Sequence, residues 1–147
     1  MSVDEQVQWL VDRARISDLL IAFARALDDK DWEAYLDLYA EDAVLELPWA
    51  TVSRAEIAEF VPRDLGRFHA THHVSANHAI EIRGDTAASR SYLLAMHVVD
   101  PDDQKRNWLV GGWYDNEYRR VGSGWKLTRV RITPVWQLGV RPPLEGE

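Results

Sequence analysis

Residues 69–97 read HATHHVSANHAIEIRGDTAASRSYLLAMH, and this stretch decides the fold. Two runs of strand-forming residues flank Gly84-Asp85, a pair whose glycine supplies the positive φ of a two-residue turn, so the stretch reads as a β-hairpin. All five histidines of the chain, at 69, 72, 73, 78 and 97, fall within it. Histidine is the side chain whose unperturbed pKa, ~6.5, lies close to neutrality. A sheet element that gathers every histidine is therefore a candidate acid/base site.

The hairpin register narrows the choice. With Gly84-Asp85 in the loop, Arg83 pairs with Thr86 and His72 falls opposite His97. Ile80, Ile82, Ala87, Ser89 and Leu93 then share the apolar face. Strict alternation turns His72 and His97 inward and His73 outward. A single β-bulge between Ser75 and His78 would reverse this and bring His73 inward, so the residues alone leave both open. His69 and His78 read as ordinary hydrogen-bonded histidines.

Working outward, apolar residues at helical spacing from Val7 to Leu27 predict a helix from Asp4 to about Leu27, capped by Asp4 or Ser2. A second helix starts at Asp31, with Trp32, Tyr35, Leu36 and Tyr39 on one face. Ala43 to Leu47 alternates as a strand that Pro48 ends. Ser53 and Glu56 form a capping-box pattern for a third helix from Arg54 to Val61, closed by Pro62, and a loop runs from Arg63 to Arg67. Beyond the hairpin, a polar loop at 101–105 leads into a long strand, 106–121. The Gly111-Gly112 pair within it marks a bulge or bend. Gly122-Ser123-Gly124 turns into a last strand, 125–137. Helices first and a strand meander after is the pattern of an α+β fold, with N-terminal helices packed on a strongly curved antiparallel or mixed sheet. Residues 1–140 are expected to form one domain, with 141–147 a tail that stays poorly ordered unless a partner holds it.

Composition limits the function. The chain has 147 residues, a net charge of −7 and no cysteine, which removes disulfides, thiolate metal sites and a cysteine nucleophile. No basic run of nucleic-acid type occurs and no apolar run approaches the ~20 residues that span a bilayer, so neither nucleic acid nor membrane is expected as a partner. No leader-type segment opens the chain, and a cytoplasmic location is expected. Nucleotide-loop, dinucleotide, nucleophile-elbow and HExxH patterns are absent. His72, His73, His97 and Asp28 are metal-ligand types, but adjacent strand residues face opposite ways, and no metal or cofactor is expected. Asp28 in Asp28-Asp29-Lys30-Asp31 reads by itself as a solvated helix end. As a partner it would fix the tautomer of an inward histidine.

The succession LDDKDW (27–32), EAYLDLYAEDAVLEL (33–47), the histidine hairpin and GGWYDNEYRRVGSGWKL (111–127) resembles the SnoaL-like branch of the nuclear transport factor 2 superfamily, over about residues 7–137. The resemblance implies a cone-shaped α+β barrel. Two enzymes of this type, scytalone dehydratase and hexachlorocyclohexane dehydrochlorinase, imply Asp28, His73 and His97 as catalytic residues. The H-x-x-x-N pattern of His73 and Asn77 favours His73 over His72. Their leaving-group residues are not matched: the dehydratase's two tyrosines fall on Leu27 and Leu47, and the dehydrochlorinase's lysine and arginine fall on Phe23 and Val130. The expected cavity is instead apolar, lined by Phe23, Leu27, Leu47, Trp49, Phe60, Phe68, Asn77, Met96, Trp113 and Tyr114.

The resemblance thus implies a cofactor-independent lyase, dehydratase-like, or an isomerase acting on a small apolar, aromatic or cyclic substrate. The alternatives are a non-catalytic ligand-binding or assembly domain, as in the small subunits of ring-hydroxylating dioxygenases, and a polyketide cyclase with an acidic base. Relatives form dimers or trimers, so a homo-oligomer is expected, with strands 108–136 as the contact.

Overall fold

The computed structural model describes residues 1–144 and 146. Three helices precede and interrupt the strands: α1 (Val3–Asp28), α2 (Trp32–Asp37) and α3 (Arg54–Gly66). Six strands follow the order β1 (Tyr39–Leu47), β2 (Ala50–Ser53), β3 (Ala70–Arg83), β4 (Thr86–Val98), β5 (Trp108–Val121) and β6 (Gly124–Leu138). They form one mixed sheet in the order β2-β1-β6-β5-β4-β3, with β1 parallel to β6 and every other pair antiparallel. The sheet does not close: β2 and β3 are its edges, so the expected barrel is an open, curved sheet covered by helices.

Ser2 is the N-cap of α1. Its hydroxyl accepts from the Glu5 N–H, and the Glu5 carboxylate accepts in return from the Ser2 N–H. This reciprocal pair satisfies two of the helix's first donors. Further along, Asp12 is buried and accepts a bidentate pair from Arg120 at 2.8 and 2.9 Å and a third bond from the Trp125 indole at 3.1 Å. The Arg120 bonds hold the Asp12 carboxyl down at about 2 against the cost of its burial. This clamp fixes α1 across the concave face of the sheet. There Ile16, Leu20, Phe23 and Leu27 join Tyr118, Leu127 and Val130 in the core.

Four local features depart from the sequence reading. β1 begins at Tyr39, because Tyr39 and Ala40 are already buried against the sheet. The short strand β2 was not expected, since a Pro48-Trp49 turn lacks the Gly or Asn signal of a hairpin. α3 continues through Pro62 to Gly66, where burial of Ile57 and Val61 on one face outweighs the donor that proline removes. Residues 141–143, the first of the tail, make contacts with α3 and its end: Arg67 donates to the carbonyls of Pro142 and Pro143 at 2.8 and 3.3 Å, and Arg141 pairs with Asp64 at 3.5 Å.

Candidate active site

The hairpin contains the bulge that decides between His72 and His73. Pairing runs from Arg83↔Thr86 to Ala79↔Arg90, then resumes at Ala76↔Tyr92, leaving Asn77 and His78 opposite Ser91 alone. Asn77 takes φ +54°, the left-handed region that asparagine tolerates better than other side-chain-bearing residues. His78 pins the bulge to α1 through the Ser17 hydroxyl at 2.8 Å. Beyond the bulge, Thr71, His73 and Ser75 share the concave face with the inward residues of β4, and His72 is exposed. Thr71, not His72, lies opposite His97.

His73 meets Asp28, the last residue of α1. Its Nδ1 stands 2.7 Å from Asp28 Oδ1, and its backbone N–H donates to both carboxylate oxygens at 3.1 and 3.0 Å. The Thr71 hydroxyl donates to Oδ1 at 3.0 Å. Partial burial would raise the Asp28 carboxyl, but the ring and backbone bonds from His73 and the Thr71 bond together hold it below the usual carboxylate range. A carboxylate at Nδ1 sets the Nδ1–H tautomer and leaves Nε2 as the basic nitrogen.

His97 lies beside it, with ring centroids 6.0 Å apart. It is stacked on Trp108 at 4.3 Å and flanked by Phe68 at 4.9 Å. Its Nδ1–H donates to the Trp108 carbonyl at 2.9 Å. Burial pushes its pKa down to about 4. His97 is therefore neutral at pH 7, and its remaining nitrogen, Nε2, is an acceptor. Of His97 and Tyr114, only Tyr114 has a hydrogen left to donate.

Both imidazoles line a cavity of about 470 Å³, a size suited to a small organic ligand. Phe23, Leu27, Leu47, Trp49, Phe60 and Tyr114 line it as expected. Tyr35, Trp108, Asp64 and Arg141 line it as well. Phe23 packs edge-on against Tyr35 at 5.1 Å and Tyr114 at 5.6 Å. The Tyr35 hydroxyl is engaged with that of Tyr39 at 2.7 Å, whereas the Tyr114 hydroxyl has no partner among the described residues. Burial pushes both Tyr35 and Tyr114 well above the ordinary phenol range, so both stay protonated.

Four expected lining residues are elsewhere. Met96 and Trp113 stand on the opposite face of the sheet, because each adjoins an inward residue, His97 or Tyr114, and alternation forbids both. Trp113 lies instead under the Arg90 guanidinium at 4.7 Å. Asn77 is exposed, and its contribution is to the bulge backbone. Phe68 is buried behind His97 and supports that ring rather than reaching the cavity. The residues missed had partial signals. Trp108 follows from its register opposite His97. Tyr35 belongs to a Tyr-x-x-x-Tyr pair that crosses from α2 into β1. Asp64 and Arg141 meet only through the tail contact, which leaves no local pattern.

A helix-covered open sheet with an Asp–His pair at the wall of an apolar cavity defines a class of small α+β pocket proteins. Residues 8–131 match the SnoaL-like domain family, and the chain belongs to that family. A crystal structure from Novosphingobium aromaticivorans, described as a candidate aromatic ring hydroxylase, is 36% identical, with a TM-score of 0.80 over 89% of this chain and 94% of that one. A second protein of that organism, described as a candidate scytalone dehydratase, superposes with a TM-score of 0.85 at 20% identity, over 95% and 94% of the two chains. A type 2 hexachlorocyclohexane dehydrochlorinase gives a TM-score of 0.72 at 21% identity, over 94% and 98%. At these two lower identities the likeness is one of fold. Among the described residues, no helix is long and apolar enough to cross a membrane.

Proposed function

We propose that the protein is a cofactor-independent, dehydratase-like lyase acting on a small, largely apolar aromatic or cyclic molecule, with Asp28 and His73 as its general-base pair. The observation that carries this reading is the 2.7 Å contact between His73 Nδ1 and Asp28 Oδ1 at the wall of an aromatic cavity. His73 Nε2 takes a proton from a substrate carbon, and the released C–H electron pair forms the new double bond. The neighbouring C–O bond breaks, and the departing oxygen takes the proton back from the imidazolium and leaves as water. Tyr114 donates a hydrogen bond to the substrate oxygen on which charge develops. An isomerase would use the same first step and return the proton to a different carbon.

The fold shared with a candidate dehydratase and a dehydrochlorinase supports elimination chemistry, and the neighbour described as a candidate aromatic ring hydroxylase supports an aromatic ligand. Exposed Tyr92, Leu94, Trp136 and Leu138 on β4 and β6 support self-association into a dimer or trimer. The test is a screen of hydroxylated aromatic and cyclic compounds for loss of water, read by absorbance and mass, with His73→Ala beside the wild type. Wild-type turnover in a folded His73→Ala protein refutes the assignment.

A further inference from the structure

The proton inventory of the cavity is uneven. His97 spends its only N–H on the Trp108 carbonyl, and two aromatic rings hold the imidazole in that orientation. It therefore offers the cavity an acceptor and no donor. The Nδ1 of His73 is likewise engaged, by Asp28. Tyr114 presents the complementary hydroxyl. A ligand that fills this end of the cavity must bring a hydrogen of its own to His97, or leave a buried nitrogen lone pair unpaired after losing water.

We infer that His97 determines specificity by accepting a hydrogen bond, at Nε2, from a hydroxyl group that the substrate keeps throughout the reaction. The substrate class is then a phenol, an enol or a cyclic alcohol whose retained hydroxyl sits within one ring's reach of the carbon that His73 deprotonates. The two imidazole centroids are 6.0 Å apart, so one small ring system can lie against both. This inference rests on the proposed cavity as the substrate site, but not on turnover. The low pKa of His97 agrees with it, since a neutral ring keeps its acceptor at working pH.

The experiment reads binding, so it is separate from the catalytic reading. Affinities of 2-naphthol and 2-methoxynaphthalene are measured at pH 7 by calorimetry, for the wild type and for the His97→Phe and His97→Gln variants. The naphthol is expected to bind about tenfold more tightly than its ether to the wild type, and this preference is expected to vanish in His97→Phe and to survive in part in His97→Gln, whose amide oxygen can accept. A nitrogen-15 spectrum of the imidazoles covers the case in which the variants fail to fold. It should show His97 as the Nδ1–H tautomer, with an Nε2 signal that moves on addition of naphthol and stays still with the ether. Equal affinities in the wild type, a preference unchanged in His97→Phe, binding of neither probe, or an Nε2–H tautomer would each overturn the inference. Failure of the turnover screen alone would leave these binding results intact and would count only against the lyase reading.

Discussion

Asp28→Asn removes one charge from the centre of the site and replaces one acceptor oxygen with an NH2 donor. The carboxylate accepts from three donors: the His73 ring, the His73 backbone N–H and the Thr71 hydroxyl. Hydrogen bonds to a charged partner contribute about 1.5–3 kcal/mol each. An asparagine carbonyl can keep one or two of the three donors, but its NH2 group must then face another. The expected loss is about 2–3 kcal/mol, or roughly 5–10 °C in Tm for a chain of this length. Because folding lowers the Asp28 pKa, its contribution is complete above the unfolded value near ~3.9 and is lost as pH falls through the folded value below it. The stability gap between wild type and variant, followed by circular dichroism, should therefore be constant from pH 5 to 8 and shrink below about pH 4. In turnover, loss of the orienting carboxylate should cost about 10³–10⁴-fold, the scale of a misset histidine tautomer. A variant as stable as the wild type at pH 7, or a gap that persists undiminished at pH 3, would refute the reasoning.

Three further outcomes are expected. His97, whose folded pKa of about 4 lies below its unfolded ~6.5, should make stability fall between those values as pH drops, on the order of 3 kcal/mol in all, and His97→Phe should flatten that part of the pH–stability curve. Asn77→Val forces a β-branched side chain to φ +54° and should cost about 1–3 kcal/mol, whereas Asn77→Gly should be tolerated; paired melting curves and turnover of any substrate found would check this. In Gly111→Ala, the new methyl group occupies the space of the Trp136 indole, so Tm should fall by an amount equivalent to about 1–3 kcal/mol and tryptophan emission should shift as that ring is displaced; an unchanged emission maximum would count against it.

How much of this was legible depends on which residue is asked. The hairpin turn at Gly84-Asp85, the capping boxes at Ser2 and Ser53 and the layering of helices on a sheet are local in origin, and periodicity and turn chemistry specify them. The bulge at Asn77-His78 is not local in that sense. Alternation places His72 inward until one residue leaves the β region, and nothing in THHVSANH announces that departure except an asparagine able to make it. Resemblance supplied the choice of His73, and the bulge gives its physical reason. Met96 and Trp113 could have been rejected from sequence, since each neighbours a residue already assigned to the concave face. Asp64 and Arg141 could not, because their meeting depends on where the tail lies.

The grip of Asp28 on the main chain of His73 has a consequence for the site without its imidazole. Two of the carboxylate's four contacts end on the backbone N–H and one on Thr71, so truncating His73 to alanine leaves Asp28 anchored and aimed at an empty ring-sized space. That space is a socket with its orienting group in place. Free imidazole diffusing into it would meet a carboxylate already set to select its tautomer, and the missing base becomes a replaceable part.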